Sequence, residues 1–436
     1  MGSTWIVLGG GISGLLAAWH LQRQGRDVEL WEASGAPGGF AQTLPWPGPL
    51  GEPGFLERGP QGLLVSKGSA LQDLLAELGV KVLAKAPRGP RWLGRDGRRH
   101  ASPASLSGLL HAPGLSLAEK LRIFAEPFIP PGGREDDTLQ TFFARRVGAG
   151  FARELLPALV AGVLAAPPQR IGMDAMPRLK RMEALGGLFR GGLALGPEKT
   201  VHLAGGTGAL ARALAANLRG LKLDCPARAL EPLPGGGWRV RGDGVSRDAA
   251  QVVLAVPGGT ASELLAPLAP DAARILAGLD RLDLTVWHSR HPAVPGWERG
   301  MGLLVHPPEG RGLMGVISLA ADDPRGVPGL TQLRTYVGGA FPTDPALGRW
   351  PGVFDELRRW LPELTGPVQV RPEHTPRAFN LLGPGHRERA ARVLDGLPPG
   401  LHWLGSARSG PSLKDLAQAI GAWAGDLPTH LQGEMA

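Results

Sequence analysis

A glycine-rich turn between two short apolar segments lies near the start of this chain and strongly constrains its fold. Residues 5–8 (WIVL) form a continuous apolar run, as expected for a strand covered on both faces. The glycines follow at once in the spacing Gly-x-Gly-x-x-Gly, at Gly9, Gly11 and Gly14. Residues 15–23 have helical spacing, and residues 28–31 (VELW) are interpreted as a second buried strand that ends at Glu32. This order of strand, turn, helix, strand and acid is the context that a dinucleotide-binding motif requires.

Each residue of the motif has a physical role. Gly9 permits the tight turn, Gly11 lets the backbone approach a pyrophosphate, and Gly14 lets the helix pack closely on the strand. The helix N-terminus offers free N–H groups and a positive dipole end to phosphates. Glu32 is placed to accept hydrogen bonds from a ribose diol, which favours FAD or NAD over NADP.

A pair of glycines, Gly38 and Gly39, follows the acid by a few residues. This pair is typical of flavoenzymes, whereas NAD dehydrogenases have no general need for it. The interpretation is therefore an FAD site. An NAD site, or a glycine-rich turn in an unrelated α/β domain, is the alternative.

The pattern along the chain predicts an α/β protein with a Rossmann-like FAD-binding domain built from discontinuous segments. The other units are a mixed-sheet substrate domain and a mainly helical region, which a strand pair enters. The predicted boundaries place FAD-binding segments at 1–84, 196–258 and 369–436, the helical region at 85–195, and the substrate sheet at 259–368.

Charge and cysteine content limit the partners and the compartment. The net charge is +8 and the pI is near 10.2, which favours anionic partners. The arginines are scattered without interleaved aromatics, so we expect no nucleic-acid binding. A single cysteine, Cys225, and a chain that enters its first strand without a signal peptide indicate the cytoplasm. The uncharged run 155–168 contains prolines and a glycine, and is interpreted as a buried helix rather than a membrane-dipping one.

Other groups that carry charge or bind metals receive structural interpretations. His288 and His291 are three residues apart without accompanying carboxylates or thiols, so we expect a surface pair at a strand end and no metal site. Arg145 and Arg146 are interpreted as a solvated helix face, with contact with anionic lipid as the alternative. No general acid–base pair is evident, which suits an enzyme whose cofactor carries the chemistry.

Several separated stretches resemble one family. They are Glu57–Pro60 (ERGP), the run from Arg91 through Asp96-Gly97 to Pro103, residues 136–148 (DDTLQTFFARRVG), residues 300–305 (GMGLLV), residues 337–339 (VGG) and residues 385–389 (GHRER). In order and character they are similar to segments of protoporphyrinogen oxidase, including the coproporphyrinogen-oxidising bacterial branch, within the FAD-dependent amine-oxidase-like superfamily. The match is collinear over nearly the whole chain.

The resemblance implies roles for particular positions. The implied FAD contacts are Gly9, Gly11, Ile12, Ser13, Gly14, Glu32, Ala33, Gly38, Gly39, Phe40, Gly59, Pro60, Gln61, Ala229, Gly405, Ser406, Ser412 and Leu413. The implied substrate contacts are Arg91, which would face a propionate, and Met301, Leu304 and Tyr336, which would line the cavity for the macrocycle.

The resemblance also implies the reaction. A porphyrinogen would lose hydride from a carbon bridge between two pyrroles to the flavin, and O₂ would reoxidise the flavin, as a step of haem biosynthesis. A related amine oxidase or desaturase acting on another apolar substrate is one alternative. A flavin-fold protein that binds a tetrapyrrole without turnover is the other. Peripheral contact of the helical region with the inner face of the cell membrane, and a homodimer, are left open.

Two departures from the family pattern concern the cofactor. Phe40 replaces the arginine that usually follows the paired glycines, and Ser406 stands where Asn, Asp or Ala is common. We expect any weakness in flavin binding to originate at these two positions.

Overall fold

The structure is a computed structural model that describes residues 4–83, 89–102, 108, 109, 111–134 and 136–428. The first residues of the predicted unit 85–195 and the last residues of 369–436 lie outside this range.

The strands in chain order are β1 Trp5–Leu8, β2 Val28–Trp31, β3 Thr43–Pro45, β4 Phe55–Glu57, β5 Leu63–Val65, β6 Val82–Leu83, β7 Arg91–Arg95, β8 Arg98–Ala101, β9 Lys199–Leu203, β10 Leu221–Lys222, β11 Ala227–Pro232, β12 Trp238–Gly242, β13 Val245–Ala249, β14 Gln251–Leu254, β15 Arg281–Pro292, β16 Met301–Val305, β17 Leu313–Ser318, β18 Leu330–Gly338, β19 Gln369–Asn380 and β20 Leu401–Trp403.

The α-helices are α1 Ile12–Arg23, α2 Ala70–Glu77, α3 Leu117–Phe124, α4 Leu139–Arg146, α5 Ala149–Glu154, α6 Leu156–Leu164, α7 Pro177–Ala184, α8 Leu188–Leu195, α9 Gly208–Ala216, α10 Gly258–Leu265, α11 Pro270–Ala277, α12 Trp350–Trp360, α13 His386–Asp395, α14 Ser406–Ser409 and α15 Leu413–Gly425.

A parallel five-stranded sheet in the order β10-β2-β1-β14-β20 takes strands from the start, middle and end of the chain. Val7 pairs with Leu30 on one side and Val253 on the other. The sheet strands are apolar because both faces are covered. Helices α1, α9 and α15 pack on one face, and the small sheet β11-β12-β13 with α10 and α11 packs on the other. The predicted α/β fold class is confirmed.

A second, seven-stranded mixed sheet has the order β19-β15-β18-β17-β16-β7-β8. The hairpin β7-β8 turns through Asp96 and Gly97, both with positive φ, as an Asp-Gly loop of two residues requires. Strand β7 pairs in parallel with β16, so the strand pair that the prediction assigned to the helical region is part of the sheet.

The predicted domain boundary at residue 368 cuts this sheet. Strand β19 begins after that residue, yet it is the edge strand of the sheet and pairs with β15. The sheet therefore continues to Asn380. The sequence of β19 contains Pro372 and Pro376, which argue against a central strand but are tolerated at an edge. Pairing with a distant strand, rather than local pattern, places this segment.

The helical region, α3 to α8, packs against the second sheet. The predicted buried helix is present as α6, and a side chain at Gly162 would place its Cβ 2.3 Å from Leu304 Cδ2. The glycine therefore allows the helix to lie directly on β16. Within the described part of the chain, none of the helices combines the length and the apolar character needed to cross a bilayer.

The interpretation of Arg145 and Arg146 as a solvated face is wrong. Arg146 is fully buried, donates from Nε to Glu126 Oε1 at 2.8 Å, and donates from Nη1 to the Ile129 carbonyl at 2.6 Å. Arg145 pairs with Asp137 and Glu183. The two arginines hold the helical region together, because acids distant in sequence converge on them.

Candidate cofactor and substrate site

Of the three glycines in the Gly-x-Gly-x-x-Gly motif, Gly11 is the one that packing within the protein does not require. A Cβ at Gly14 would lie 1.8 Å from the Gly9 carbonyl oxygen, and Gly9 itself has φ +102°. A Cβ at Gly11, in contrast, would have nothing within 4 Å, and its φ of −67° is ordinary. Open space in front of Gly11 fits a ligand that approaches the backbone closely.

The surroundings of this space suit a phosphate. Helix α1 begins after Gly11 with no side-chain cap and no acid in its first turn, so its N–H groups are left for a ligand. Gly38 donates its N–H to the Gly10 carbonyl at 2.7 Å, and Gly39 lies against the Cα of Gly11. The predicted glycine pairs are thus brought together around one turn.

Other predicted cofactor residues divide between this turn and the core. Ile12 is buried in the core, whereas a Cβ at Gly405 would lie 3.8 Å from the Ser13 hydroxyl. Ala33 is exposed, and Ala229 is half-buried on β11.

Glu32 ends β2 beside the turn. Its Oε2 accepts the Gly10 N–H at 2.6 Å, and its Oε1 accepts the Ser34 N–H and hydroxyl at 2.9 and 2.6 Å. A carboxylate has about four acceptor positions, so it can also accept a hydroxyl group. The position fits the predicted ribose contact.

Phe40 and Gly59 are neighbours, since a Cβ at Gly59 would lie 2.3 Å from the Phe40 carbonyl oxygen. The Phe40 side chain is 44% exposed. An apolar side chain thus stands at the edge of the turn where the family pattern has a cation.

The C-terminal residues approach the same region through α14 and α15. Gly405 has φ +130°, and Asn380 Nδ2 donates to the Ser406 hydroxyl at 3.0 Å. Ser412 is the N-cap of α15, so its hydroxyl serves the helix, and Leu413 is the first helical residue. Beside Ser406 a narrow apolar cleft is lined by Leu164, Ile171, Leu381, Leu382 and Pro411.

The predicted substrate residues Arg91, Leu304 and Tyr336 share one face of the seven-stranded sheet. Leu304 pairs with Gly315, and Gly315 pairs with Tyr336. Arg91 pairs with Gly302 and its side chain lies over that glycine, because a Cβ there would be 3.0 Å from Arg91 Nη1. We call this surface the substrate face.

Met301 does not belong to the substrate face. It is buried in the core on the opposite side of the sheet with Leu303 and Val305. Successive strand residues point to opposite faces, so residues 301 and 304 of one regular strand cannot line the same cavity. Strand parity in the sequence alone could have corrected this prediction.

Tyr336 connects the substrate face to the predicted flavin segment. Burial raises the pKa of Tyr336 to about 12, and the charges of Arg334 and Arg325 and an interaction with the Gln61 side chain partly offset that shift. The phenol therefore stays protonated at neutral pH and cannot act as a base. Gln61 Oε1 is buried without a hydrogen-bond partner, and a bound group could supply one.

Behind this contact lie four polar residues that were not predicted as part of the site: His202, His288, Arg325 and Arg334. The interpretation of His288 and His291 as a surface pair is also wrong, because both are fully buried and point to opposite faces of β15. Across the described residues, His, Cys, Asp and Glu side chains form no group of three or more suited to a metal ion. An arginine inside an apolar strand, as at Arg334, was the signal available in the sequence.

The sequence profile of the flavin-containing amine oxidoreductase family matches residues 12–412. The chain belongs to this family. Its members use a flavin, and FAD is the cofactor that the open turn at Gly11 and the unpartnered Gln61 Oε1 accommodate.

Relatives of this flavin-containing oxidoreductase include human protoporphyrinogen oxidase, 29% identical over 377 residues that cover 78% of each chain. Coproporphyrinogen III oxidase of Bacillus subtilis is 28% identical over 195 residues, covering 41% of this chain and 40% of that one.

Two solved structures show the same fold. A proposed protoporphyrinogen oxidase from Exiguobacterium has a TM-score of 0.79 at 21% identity, covering 98% of both chains. Cyclohexylamine oxidase from Brevibacterium oxydans has a TM-score of 0.70 at 18% identity, also covering 98% of both.

Proposed function

We propose that this flavin-containing oxidoreductase oxidises a porphyrinogen, protoporphyrinogen or coproporphyrinogen, with O₂ as the final electron acceptor. The observation that carries the proposal is the substrate face, which brings Leu304 and Tyr336 together with Arg91 at one end. The likeness to protoporphyrinogen oxidases over 78% of the chain supports it.

The residues of this face suit a flat, apolar substrate with anionic edges. Leu304 and Tyr336 supply apolar contact area on this face, and Arg91 lies over Gly302 at its end. The Arg91 guanidinium is suited to a carboxylate at the edge of such a ring, a charge-assisted contact worth on the order of 1.5–3 kcal/mol.

FAD, when bound, accepts the hydride that leaves the substrate and passes the electrons to O₂. The glycine turn and the segment Gly59 to Gln61, whose Gln61 side chain interacts with Tyr336, would hold it. The protein's own part is orientation and exclusion of water, because pyrrole nitrogens stabilise the cation that remains and their N–H protons can leave to solvent. The protonated Tyr336 is consistent with a site that needs no strong base.

Anaerobic mixing of the purified flavoprotein with each porphyrinogen tests the proposal. We expect the flavin absorbance to bleach, and to recover when O₂ is admitted. Bleaching by an amine or another apolar substrate, but by neither porphyrinogen, would favour the amine oxidase or desaturase alternative. Tight porphyrin binding without bleaching would favour a tetrapyrrole-binding protein without turnover. The relative rates with the two porphyrinogens identify the preferred substrate.

We further propose that the helical region lies on the inner face of the cell membrane. Phe128 and Leu193 are 80% and 85% exposed, and Leu117 and Leu121 are exposed on adjoining α3. Helix α8 is tied to the turn at Phe128, because Glu126 accepts the Leu188 N–H at 2.7 Å. These apolar side chains therefore belong to one part of the surface.

Flotation with anionic liposomes tests membrane contact. We expect the double variant Phe128→Ser/Leu193→Ser to lose binding, while Leu50→Ser, which removes an exposed leucine from a loop of the cofactor domain, retains it. Equal flotation of all three proteins would contradict the proposed surface.

A further inference from the structure

Unpartnered polar atoms are concentrated where the substrate sheet meets the predicted flavin segment. We call this place the polar junction, formed by Gln61, His202, His288, Arg325, Arg334 and Tyr336. The atoms without hydrogen-bond partners are Gln61 Oε1, His202 Nε2, both ring nitrogens of His288, and Nε and Nη2 of Arg334. A buried polar group without a partner costs roughly 1–3 kcal/mol, so at this place the fold keeps polar and charged groups at a cost to its stability.

Arg334 carries the uncompensated charge of the junction. Its side chain is only 1% exposed, and no described carboxylate lies within ion-pair distance of it. Arg325 is different, because Asp323 binds it through two oxygens at 2.8 and 2.6 Å. Among the described residues the other acid near Arg334 is Glu57, which accepts hydrogen bonds from Thr43 and Thr207 and lies 3.8 Å from Arg325 Nη1.

The histidines add no positive charge. Burial and Arg325 lower the pKa of His202 to about 4, and burial with Arg334, Arg371 and Arg290 holds the pKa of His288 well below its usual range. Burial also raises the pKa of Glu57, which reduces its tendency to carry a negative charge. Arg334 therefore faces the junction as a cation without a counter-ion.

The junction surrounds a predicted flavin contact. His202 Nδ1 lies 2.9 Å from the Gln61 carbonyl oxygen, and Arg325 Nη1 donates to the same oxygen at 2.8 Å. Arg334 and Tyr336 are two residues apart on β18 and point to the same face, and Tyr336 reaches the Gln61 side chain. The segment Gly59 to Gln61 is thus held directly beside the free guanidinium.

We propose that Arg334 lies close enough to the bound flavin ring to stabilise the negative charge that the ring gains on reduction, and so raises its reduction potential. Because protein encloses the Arg334 guanidinium, solvent and salt screen its charge weakly, and the charge can act on a resident cofactor without direct contact. Charge near the ring is one of the means by which a protein sets flavin reactivity. The inference rests on flavin binding and not on the identity of the substrate.

The test compares reduction potentials of substrate-free holoenzymes by anaerobic equilibration with a reference dye. We expect Arg334→Met to lower the equilibrium constant for two-electron reduction about tenfold, which corresponds to about 30 mV. Arg334→Lys keeps the charge and should stay near the wild-type potential. Arg371→Met is the matched control, because Arg371 lies in the same cross-strand row and on the same face but is paired with Glu373.

Each other outcome has a definite meaning. Unchanged potential in Arg334→Met would overturn the proposal, as would a higher KM for porphyrinogen without a change of potential, since Arg334 would then bind substrate. An equal fall in Arg371→Met would also overturn it. If Arg334→Met loses flavin while Arg334→Lys keeps it and both apoproteins unfold at the wild-type temperature, contact with the cofactor is supported. Instability of both apoproteins would indicate a structural role only.

Discussion

The substitution Gly11→Ala should weaken cofactor binding and leave the stability of the apoprotein nearly unchanged. In the folded chain a Cβ at this position has nothing within 4 Å, and the backbone angles are ones that alanine readily adopts. Gly11→Ala should gain about 0.4–1 kcal/mol from reduced freedom of the unfolded chain. It should lose a similar amount, about 0.5–1 kcal/mol, because alanine is a poor N-cap for α1. The free energy of unfolding of the apoprotein should therefore change by less than about 1 kcal/mol.

Binding of FAD should change much more. The methyl group would occupy the space through which the backbone approaches a pyrophosphate, and one charge-assisted hydrogen bond is worth roughly 1.5–3 kcal/mol. The Kd for FAD should rise about 10- to 150-fold. Titration of the apoprotein with FAD, followed by flavin fluorescence, measures this change, and chemical denaturation of the apoprotein measures stability.

Gly14→Ala is the matched control, because its Cβ would lie 1.8 Å from the Gly9 carbonyl oxygen. Backbone cannot yield as a side chain does, so we expect this variant to be destabilised by more than about 3 kcal/mol. Wild-type FAD affinity in Gly11→Ala, or a loss of apoprotein stability as large as that of Gly14→Ala, would refute the reasoning.

Three further predictions concern the ligand contacts and acid stability. Arg91→Ala should raise KM for porphyrinogen about tenfold in a steady-state assay, with a smaller effect on kcat. The reason is that losing a carboxylate contact weakens binding of the substrate and of the transition state alike. An unchanged KM would show that Arg91 does not bind the substrate. Phe40→Arg should lower the Kd for FAD about tenfold in the same titration by adding a cation at the glycine turn, and no change would show that this position does not face a phosphate. Burial lowers the pKa of His402 to about 4 from 6.5, so the unfolded chain binds a proton that the folded chain rejects. The free energy of unfolding should therefore fall by up to about 3 kcal/mol between pH 6.5 and 4, and His402→Phe should reduce this dependence in urea titrations.

The sequence predicts the local elements well where neighbouring residues decide them. The glycine turn, the helix after it and the acid at Glu32 are all present, and the predicted substrate region 259–368 contains the strands β15 to β18. The Asp96-Gly97 hairpin is also present, because its turn depends on two residues only. The family follows from the collinear order of such local motifs, and the cofactor follows from the family.

Pairing between segments that are distant in the chain decided the features that the local sequence pattern did not predict. The edge strand β19 and the hairpin β7-β8 belong to the substrate sheet because strands far away in the chain supply their hydrogen bonds. Arg146 is buried because Glu126 reaches it from another element. Local composition contains no information about such partners, so the sequence pattern favoured a solvent-exposed position for charged residues such as Arg146.

The most consequential difference concerns the polar junction. Gln61, His202 and Arg334 are more than a hundred residues apart in the sequence, and only tertiary packing brings β9 and the segment before β5 close to β18. The sequence by itself predicted a flavin site at the glycine turn, and the family confirms that the cofactor is a flavin. Only the tertiary structure shows which side chains meet at the polar junction, because burial removes water from Arg334 and so makes its charge costly.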